Sequence, residues 1–223
     1  MAFAGFDTSG FPGEAIMRKL RSTTNLKFCG YYLAPAPSHS DTSWMGKRSF
    51  LHNLGFGIVP IYIGEQVEGS GSLHPSLDKG TTDGNDAVQL MINEDFAQGS
   101  CVFLDLENGP PLRLGEYVNS WCYAVSNGGF LPGVYCSHLL ADEIQELQPT
   151  ARIFAFKVTT TAPHPVPGPP YPEPDPRGSG FAKAFVYQHQ QNALIFVPGE
   201  AKQLKVDLDS ALTEDPSART PVA

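Results

Sequence analysis

Short runs of β-type apolar residues alternate along the chain with stretches whose apolar residues recur at helical spacing. Strands are predicted over residues 2–7, 28–33, 57–64, 101–107, 132–137, 152–158, 184–189 and 205–209. Helices are predicted over residues 14–20, 44–54, 83–96, 112–126 and 138–147. Such alternation is typical of parallel strands that are joined by right-handed helical crossovers.

Eight strand units in 223 residues favour an α/β fold of the (β/α)8 TIM-barrel type, with an outer ring that lacks some of its helices. Residues 1–212 are expected to form this single barrel domain. An open, doubly wound sheet is the alternative. Its usual nucleotide-binding form is disfavoured because no G-x-G-x-x-G or P-loop turn follows the first strand.

Two segments fall outside the alternation. Residues 159–180 contain eight prolines, so they are expected to form a stiff, polyproline-like loop. This loop follows a strand, and it either walls a groove at the catalytic end of the barrel or acts as a strap in place of an outer helix. Residues 213–223 are polar and flanked by proline, and we expect this tail to be flexible.

Two carboxylates end the fourth predicted strand. Asp105 and Glu107 are spaced i, i+2, so they share one face of the strand while Leu104 and Leu106 share the other. Hydrolysis of a glycosidic bond needs such a pair, one group to protonate the leaving oxygen and one to stabilise or attack the developing cation. A solvated strand end is the alternative for an isolated D-x-E sequence.

A barrel fold predicts which way each strand residue points. Outward residues pack on the helices, and inward residues at the carboxyl ends of the strands form the active site. The residues assigned to the outer face are Val59, Ile61, Ile63, Leu104, Leu106, Val206 and Leu208. Those assigned to the inner face are Asp7, Tyr62, Asp105, Glu107, Tyr135, Asp207 and Asp209. Acids from strands far apart in the sequence are thus expected to meet in one mouth.

Composition narrows the range of partners. The formal net charge of −8 argues against nucleic acid or an anionic membrane as the main partner, since both call for clustered Lys and Arg. The four cysteines lie in apolar surroundings without a C-x-x-C pair, which favours buried reduced thiols over disulfides or a metal site. No metal or other cofactor is expected, and we expect a monomer.

The N-terminus lacks the basic and apolar regions of a signal peptide, and no run approaches the length of a membrane span. We therefore expect a protein that is cytoplasmic as synthesised and does not insert into a membrane. A lysis system, a secretion apparatus or a missing N-terminal extension would have to deliver it to a substrate outside the cytoplasm.

The motifs together resemble a known family. They are Gly5-Phe-Asp-Thr-Ser, Phe28-Cys-Gly-Tyr-Tyr-Leu, Gly57-Ile-Val-Pro-Ile-Tyr-Ile-Gly, Phe103-Leu-Asp-Leu-Glu and Gly133-Val-Tyr-Cys-Ser, with Tyr187-Gln188 and Val206-Asp-Leu-Asp near the end. They resemble a bacterial glycoside-hydrolase-like domain family (domain of unknown function 1906). That family is similar to the glycoside hydrolase family 25 lysozymes, barrels that cleave peptidoglycan.

The resemblance implies roles for individual residues. Glu107 would be the general acid/base, and Asp105 would orient the substrate N-acetyl group or stabilise an oxazolinium-like cation. Asp7 and Asp209 would match the first-strand and last-strand aspartates of the lysozymes, with Asp207 as the alternate of Asp209. The further candidates for substrate contact are Tyr62, Gln188, Tyr32, Tyr135 and Glu65, of which Glu65 would bind a cationic or amide group unless it is simply solvated.

The sequence is consistent with three functions. A hydrolase of β-1,4 bonds in peptidoglycan or a related N-acetylated glycan is the leading hypothesis. A non-catalytic glycan-binding barrel and a hydrolase of another cell-wall bond, such as an amide, are the alternatives. Catalysis is favoured over binding because buried carboxylates cost stability, and a binding module has less reason to keep several of them.

Overall fold

The computed structural model describes residues 1–66, 76–107, 114–158 and 160–219. Along these ranges the strands are β1 (Phe3–Asp7), β2 (Phe28–Tyr32), β3 (Gly57–Ile63), β4 (Cys101–Leu106), β5 (Leu131–Ser137), β6 (Arg152–Phe156), β7 (His164–Pro165), β8 (Ala184–Ile195) and β9 (Leu204–Ala211). The helices are α1 (Glu14–Thr23), α2 (Arg48–Leu54), α3 (Leu77–Asn93), α4 (Leu114–Asn127) and α5 (Ala141–Leu147), with a 3₁₀ turn at Pro176–Ser179.

The sheet closes on itself. Strands β1 to β6 lie side by side in parallel, and β6 pairs in parallel with β8. Strand β9 then joins β8 to β1 and runs antiparallel to both. The predicted α/β barrel is therefore confirmed as a closed eight-stranded barrel with five helices along the described residues, and the open sheet is excluded.

The direction of β9 differs from the expectation of parallel strands throughout. Residues 196–203 connect β8 to β9 as a hairpin. This connection is too short for the helical crossover that a parallel pair requires, so the strand returns antiparallel. Gly199, at φ 79°, supplies the left-handed backbone conformation at the tip of the hairpin.

The side chains of β3 also point to the opposite faces of the barrel wall from those predicted. Ile61 pairs with Phe103 and Ile63 with Asp105, so these isoleucines share the inner face with the acid of β4. Tyr62 points outward and is fully buried under the helices, where its hydroxyl donates to Asp86 on α3 at 3.0 Å. Barrel strands are buried on both faces, so polarity alone did not identify the inner side.

Helices α3 and α4 pack closely outside β3 and β4. A Cβ atom on Gly80 would lie 2.4 Å from the carbonyl oxygen of Tyr117, and one on Gly84 would lie 2.8 Å from that of Trp121. Only glycine permits this approach. Helix α3 begins at Leu77, earlier than predicted, because the Ser76 hydroxyl caps it by accepting the Lys79 N–H.

The proline-rich segment crosses the outside of the barrel. Its β7 pairs with the far half of β8, while the Tyr171 N–H donates to Asn25 Oδ1 at 2.7 Å. Asn25 lies between α1 and β2, at the opposite end of the barrel from the exit of β6. This path matches the interpretation of the segment as a strap in place of an outer helix.

The start of the predicted tail is packed instead of frayed. Arg152 donates to the carbonyl of Pro216 at 2.6 Å, and the Cys101 N–H donates to that of Ser217 at 2.7 Å. Asp215 Oδ1 accepts from the N–H groups of Ile58 and Ser217 and from the Ser217 hydroxyl. Residues 213–219 therefore close the amino-terminal end of the barrel, and residues 220–223 lie outside the described ranges.

Two smaller expectations concern cysteines and membrane spans. All four cysteines are buried and unpaired, as the sequence predicted. Among the helices of the described ranges, none is both long and apolar enough to cross a bilayer.

The closure of the barrel by the tail predicts a stability effect. Asp215→Ala removes the side-chain acceptor of the Ile58 N–H and of the Ser217 hydroxyl, so the free energy of unfolding should fall by about 1–3 kcal/mol. Denaturant unfolding measures this change. The matched control, Glu146→Ala on the exposed face of α5, should stay within about 0.5 kcal/mol of the wild type. An equally small change in Asp215→Ala would contradict a structural role for the tail.

Candidate active site

A pocket of about 200 Å³ opens at the carboxyl ends of the parallel strands. Its acidic lining is formed by Asp7, Asp105, Glu107 and Asp207. A narrower recess that shares these acids is also lined by Tyr32 and Tyr135. Side chains from β1, β2, β4, β5 and β9 thus converge, since in a closed barrel the ends of these strands surround one opening.

Asp7 lies at the end of β1 and is buried. The Tyr32 hydroxyl donates to its Oδ1 at 2.6 Å. Next to it, a Cβ atom on Gly30 would lie only 2.6 Å from the Asp7 Cβ, so glycine leaves the room that this carboxylate occupies. Burial raises the pKa of Asp7, and the charges of Asp207 and Glu107 raise it further, while the Tyr32 hydrogen bond opposes them.

Asp209 lies one layer below Asp7, since it pairs with Gly5 on β1. Its side chain is buried, and neither carboxyl oxygen accepts a hydrogen bond from a protein donor in the described ranges. Burial raises the pKa of Asp209 strongly, and the charges of Asp7 and Asp207 raise it further. Because the pKa of Asp7 is raised as well, ionisation of both neighbouring carboxyls together is disfavoured.

A hydrogen-bond chain holds Asp207 on the other side of the mouth. The Tyr135 hydroxyl donates to Gln188 Oε1, and Gln188 Nε2 donates to Asp207 Oδ2 at 2.8 Å. The N–H of Asn192 donates to Asp207 Oδ1 at 2.6 Å. Burial, together with the charge of Glu107, raises the pKa of Asp207 to about 6 against the opposing effect of these donors and of Lys205.

Asp105 and Glu107 differ in exposure. Asp105 is buried, and its Oδ1 has no hydrogen-bond partner among the described residues, whereas Glu107 is exposed just past the end of β4. Burial raises the pKa of Asp105, and the charges of Glu107 and Asp7 add to the effect. The pKa of Glu107 is also raised, because the surrounding protein partly desolvates its carboxylate despite its exposure. Both carboxyls are thus shifted toward their protonated forms, and the charge of Glu107 disfavours ionisation of Asp105.

Two of the candidate contact residues lie elsewhere. Tyr62 faces α3, as described above, and Glu65 turns toward the helices, where its Oε1 lies 3.2 Å from Lys79 Nζ. Neither lines the acidic pocket. Because Tyr62 was assigned to the inner face of β3, its expected orientation is wrong, and Glu65 is buried and not solvated.

The pocket also contains residues that sequence reasoning missed. They are Thr8, Ser9, Ile63, Asn192, Lys205 and Val206. In the sequence, only the polar run Gln190-Gln191-Asn192 in the middle of β8 pointed to Asn192. In the structure, Asn192 has a φ of 55°, and the pairing of β8 with β9 is irregular around it. None of the described residues of the proline-rich strap lines the pocket.

No metal-binding arrangement was found in the described ranges, where no group of three or more His, Cys, Asp or Glu side chains is placed to hold an ion.

A family comparison identifies the domain. The profile of the Rv2525c-like, glycoside hydrolase-like domain matches residues 19–163, which include β2 to β6 and the Asp105–Glu107 pair. The chain belongs to this family. A search of curated proteins found no match.

Solved structures share the fold over most of the chain. An uncharacterized protein of B. stearothermophilus is 19% identical with a TM-score of 0.64, covering 94% of this chain and 95% of that one. The Clostridium perfringens spore cortex lytic enzyme SleM is 12% identical with a TM-score of 0.62, covering 94% and 67%. The modular autolysin LytC of Streptococcus pneumoniae is 10% identical with a TM-score of 0.60, covering 93% and 46%. At these identities the likeness establishes the fold alone.

The raised pKa of Asp209 predicts how the stability of this glycoside hydrolase-like domain depends on pH. An acid whose pKa is raised by folding contributes stability in full below its unfolded pKa of about 3.9, and this contribution is lost as the pH rises through the folded pKa. Asp209→Asn keeps the shape of the side chain and removes its titration. The variant should therefore unfold at a higher temperature than the wild type at pH 7, and the gain should shrink toward pH 4.

Thermal unfolding at the two pH values tests this expectation. Asp142→Asn, on the exposed face of α5, is the matched control and should show no such pH-dependent gain. An Asp209→Asn variant that is less stable than the wild type by the same amount at both pH values would contradict a raised pKa of Asp209.

Proposed function

We propose that this domain is a glycoside hydrolase that cleaves β-1,4 bonds of peptidoglycan or a related N-acetylated glycan. One observation carries the proposal. Asp105 and Glu107, spaced i, i+2 at the end of β4, line the same acidic pocket, and they differ in exposure. Such unequal carboxyl pairs are suited to divide the roles of acid and stabiliser between them.

Glu107 is proposed as the general acid. It is the exposed member of the pair, so it can reach the oxygen of a bound glycosidic bond. Its raised pKa favours retention of a proton toward neutral pH, as proton donation to a leaving group requires. After the bond breaks, the Glu107 carboxylate takes a proton from the attacking water and is restored.

Asp105 is proposed to act on the substrate N-acetyl group. Its Oδ1 has no protein donor among the described residues, and a buried acceptor of this kind is satisfied when a ligand N–H approaches it. The ionised carboxylate accepts a hydrogen bond from the acetamido N–H and so directs the acetamido oxygen toward C1. That oxygen bonds to C1 while the glycosidic C–O bond breaks with the proton from Glu107. Water then opens the resulting oxazolinium ion.

The other acids are proposed to bind sugar hydroxyls and to set the charge of the mouth. Asp7 is held by Tyr32, and Asp207 by Gln188 and Asn192, so both carboxylates have fixed positions. Preorganised acceptors of this kind hold substrate hydroxyls at little entropic cost. The raised pKa of Asp209 favours its neutral form, which reduces the negative charge next to the mouth.

The structural neighbours support the choice of substrate. SleM is a spore cortex lytic enzyme and LytC is an autolysin, and both contain a barrel of the same fold. The buried acids also favour an enzyme over a glycan-binding protein. Burial of several carboxylates lowers the stability of the fold, and a binding protein has less reason to keep them.

The central test is Glu107→Gln. The amide keeps the shape of the side chain but cannot cycle a proton, so turnover of peptidoglycan fragments should fall by about 10²–10⁴-fold. Glycan affinity and the thermal midpoint should change little, because the side chain is exposed. Release of soluble fragments, binding and unfolding are measured on the same preparation, with Glu146→Gln on α5 as the matched control.

Two results would oppose the proposal. Turnover by Glu107→Gln at the wild-type rate would mean that another group donates the proton. Binding of glycan by both proteins without any release of fragments would indicate the non-catalytic glycan-binding barrel.

A further inference from the structure

The hydrogen-bond ladder between β3 and β4 ends just below the catalytic mouth. Its last paired residues are Ile63 and Asp105. Beyond this point the backbone of β3 leaves the sheet, and a side chain replaces it. Gln66 Nε2 donates to the carbonyl oxygen of Asp105 at 2.8 Å, and Gln66 Oε1 accepts the N–H of Glu107 at 3.2 Å.

The amide of Gln66 is matched to both partners. A carboxamide presents a donor and an acceptor side by side, as a peptide group does, so it extends the ladder across the end of β4. The opposite orientation of the amide would place its oxygen against a carbonyl and its nitrogen against an N–H group. The two contacts therefore fix one orientation.

A polar cluster outside the barrel holds the neighbouring residue. The N–H of Glu65 donates to the Tyr117 hydroxyl at 2.9 Å, and that hydroxyl donates to Asp83 Oδ2 at 2.6 Å. The Glu65 carboxylate lies 3.2 Å from Lys79 Nζ. With Glu65 directed outward to the helices, Gln66 is directed back toward β4, because consecutive side chains in extended backbone alternate.

Gly64 makes this arrangement possible. A Cβ atom on Gly64 would lie 2.3 Å from the Tyr117 hydroxyl oxygen, so a larger residue would push the chain away from α4. Glu65, Tyr117, Asp83 and Lys79, here called the α3–α4 anchor, thus hold the exit of β3 in place.

We propose that Gln66 is a positioning residue that fixes the end of β4 and thereby the direction of Glu107, and that the α3–α4 anchor holds Gln66 for this task. The catalytic consequence rests on the proposed function, whereas the positioning itself does not. Glu107 is the first residue past β4, and its N–H is held by this side chain instead of by a neighbouring strand.

The environment of Glu107 offers a readout of its position. The titratable groups that share its pocket or recess are Asp7, Asp105, Asp207, Tyr32, Tyr135 and Lys205. Partial desolvation raises the pKa of Glu107. A Glu107 freed from its position spends more time in solvent, so its pKa should fall toward the ordinary value of a glutamic acid.

The experiment uses Gln66→Met, which keeps the length of the side chain and removes both hydrogen bonds. The Glu107 carboxyl is titrated by ¹³C NMR in the wild type and the variant, with the Glu107→Gln protein to assign its signal. We expect a lower Glu107 pKa in Gln66→Met. With glycan as substrate we expect kcat to fall by about 10–100-fold, since small misplacements of a catalytic group have effects of this size, and KM to change little.

Two further variants complete the design. Gln89→Met, on the exposed face of α3 where Gln89 bonds only Asn93 in the described contacts, is the matched control and should titrate like the wild type. Tyr117→Phe removes the acceptor of the Glu65 N–H and should shift the Glu107 pKa in the same direction as Gln66→Met, by less. If Gln66→Met does not fold, Tyr117→Phe alone decides the question.

The outcomes separate the two proposals. An unchanged Glu107 pKa in folded Gln66→Met, or in Tyr117→Phe if the first variant is unfolded, overturns the positioning role. A wild-type protein without turnover contradicts the proposed function, but the NMR titration still tests the positioning. A stability loss without a change in the Glu107 titration would mean that Gln66 is merely structural.

Discussion

Five carboxyl groups share one end of a closed barrel, and the low polarizability of their surroundings does not allow all of them to ionise together. Burial raises the pKa of both Asp7 and Asp209, and the charge of Asp7 raises that of Asp209 further, so protonation within this pair relieves the constraint. Asp207 is supported by Gln188 and the Asn192 N–H. The carboxyl groups of the remaining pair, Asp105 and Glu107, accept fewer hydrogen bonds from the described residues, so their oxygens are free to bind a ligand.

The rest of the fold maintains this mouth from outside and below. Residues 213–219 close the amino-terminal end, and the proline-rich strap covers a side where an outer helix is missing. The close packing of α3 against α4 at Gly80 places Tyr117 where it can hold the exit of β3. Each element thus limits the motion of strands whose ends carry acids.

Much of this architecture could be predicted from periodicity. Apolar runs and helical spacing placed every barrel strand and the five helices of the described residues. The strand ends predicted that Asp7, Asp105, Glu107 and Asp209, with Asp207 as the alternate of Asp209, would meet in one mouth. Asp207 lines the pocket, whereas Asp209 lies one layer below it. The inner face of β3 could not be predicted in this way, because Ile61 and Tyr62 are both buried and side-chain polarity does not distinguish the two sides. The direction of β9 was missed because strand alternation carries no information on a hairpin.

Contacts between side chains and the loop backbone also could not be predicted from the sequence. Asn192, at a positive φ, binds Asp207 through its backbone N–H. Gln66 binds the end of β4 through its side-chain amide, which points inward because the neighbouring Glu65 points outward. Neither residue type signals such a contact, since any residue other than proline has an N–H group and glutamine is common on surfaces. Only the path of the backbone identifies them.

Analysis of the products released from purified peptidoglycan tests the account most directly, because it reports the bond that is broken. The wild-type protein is incubated with the polymer, and the soluble fragments are examined by mass spectrometry before and after reduction with borohydride. The account predicts disaccharide-containing fragments with new reducing ends, which gain two hydrogens on reduction. Release of stem peptides from intact glycan strands, or no release by folded protein, would contradict it.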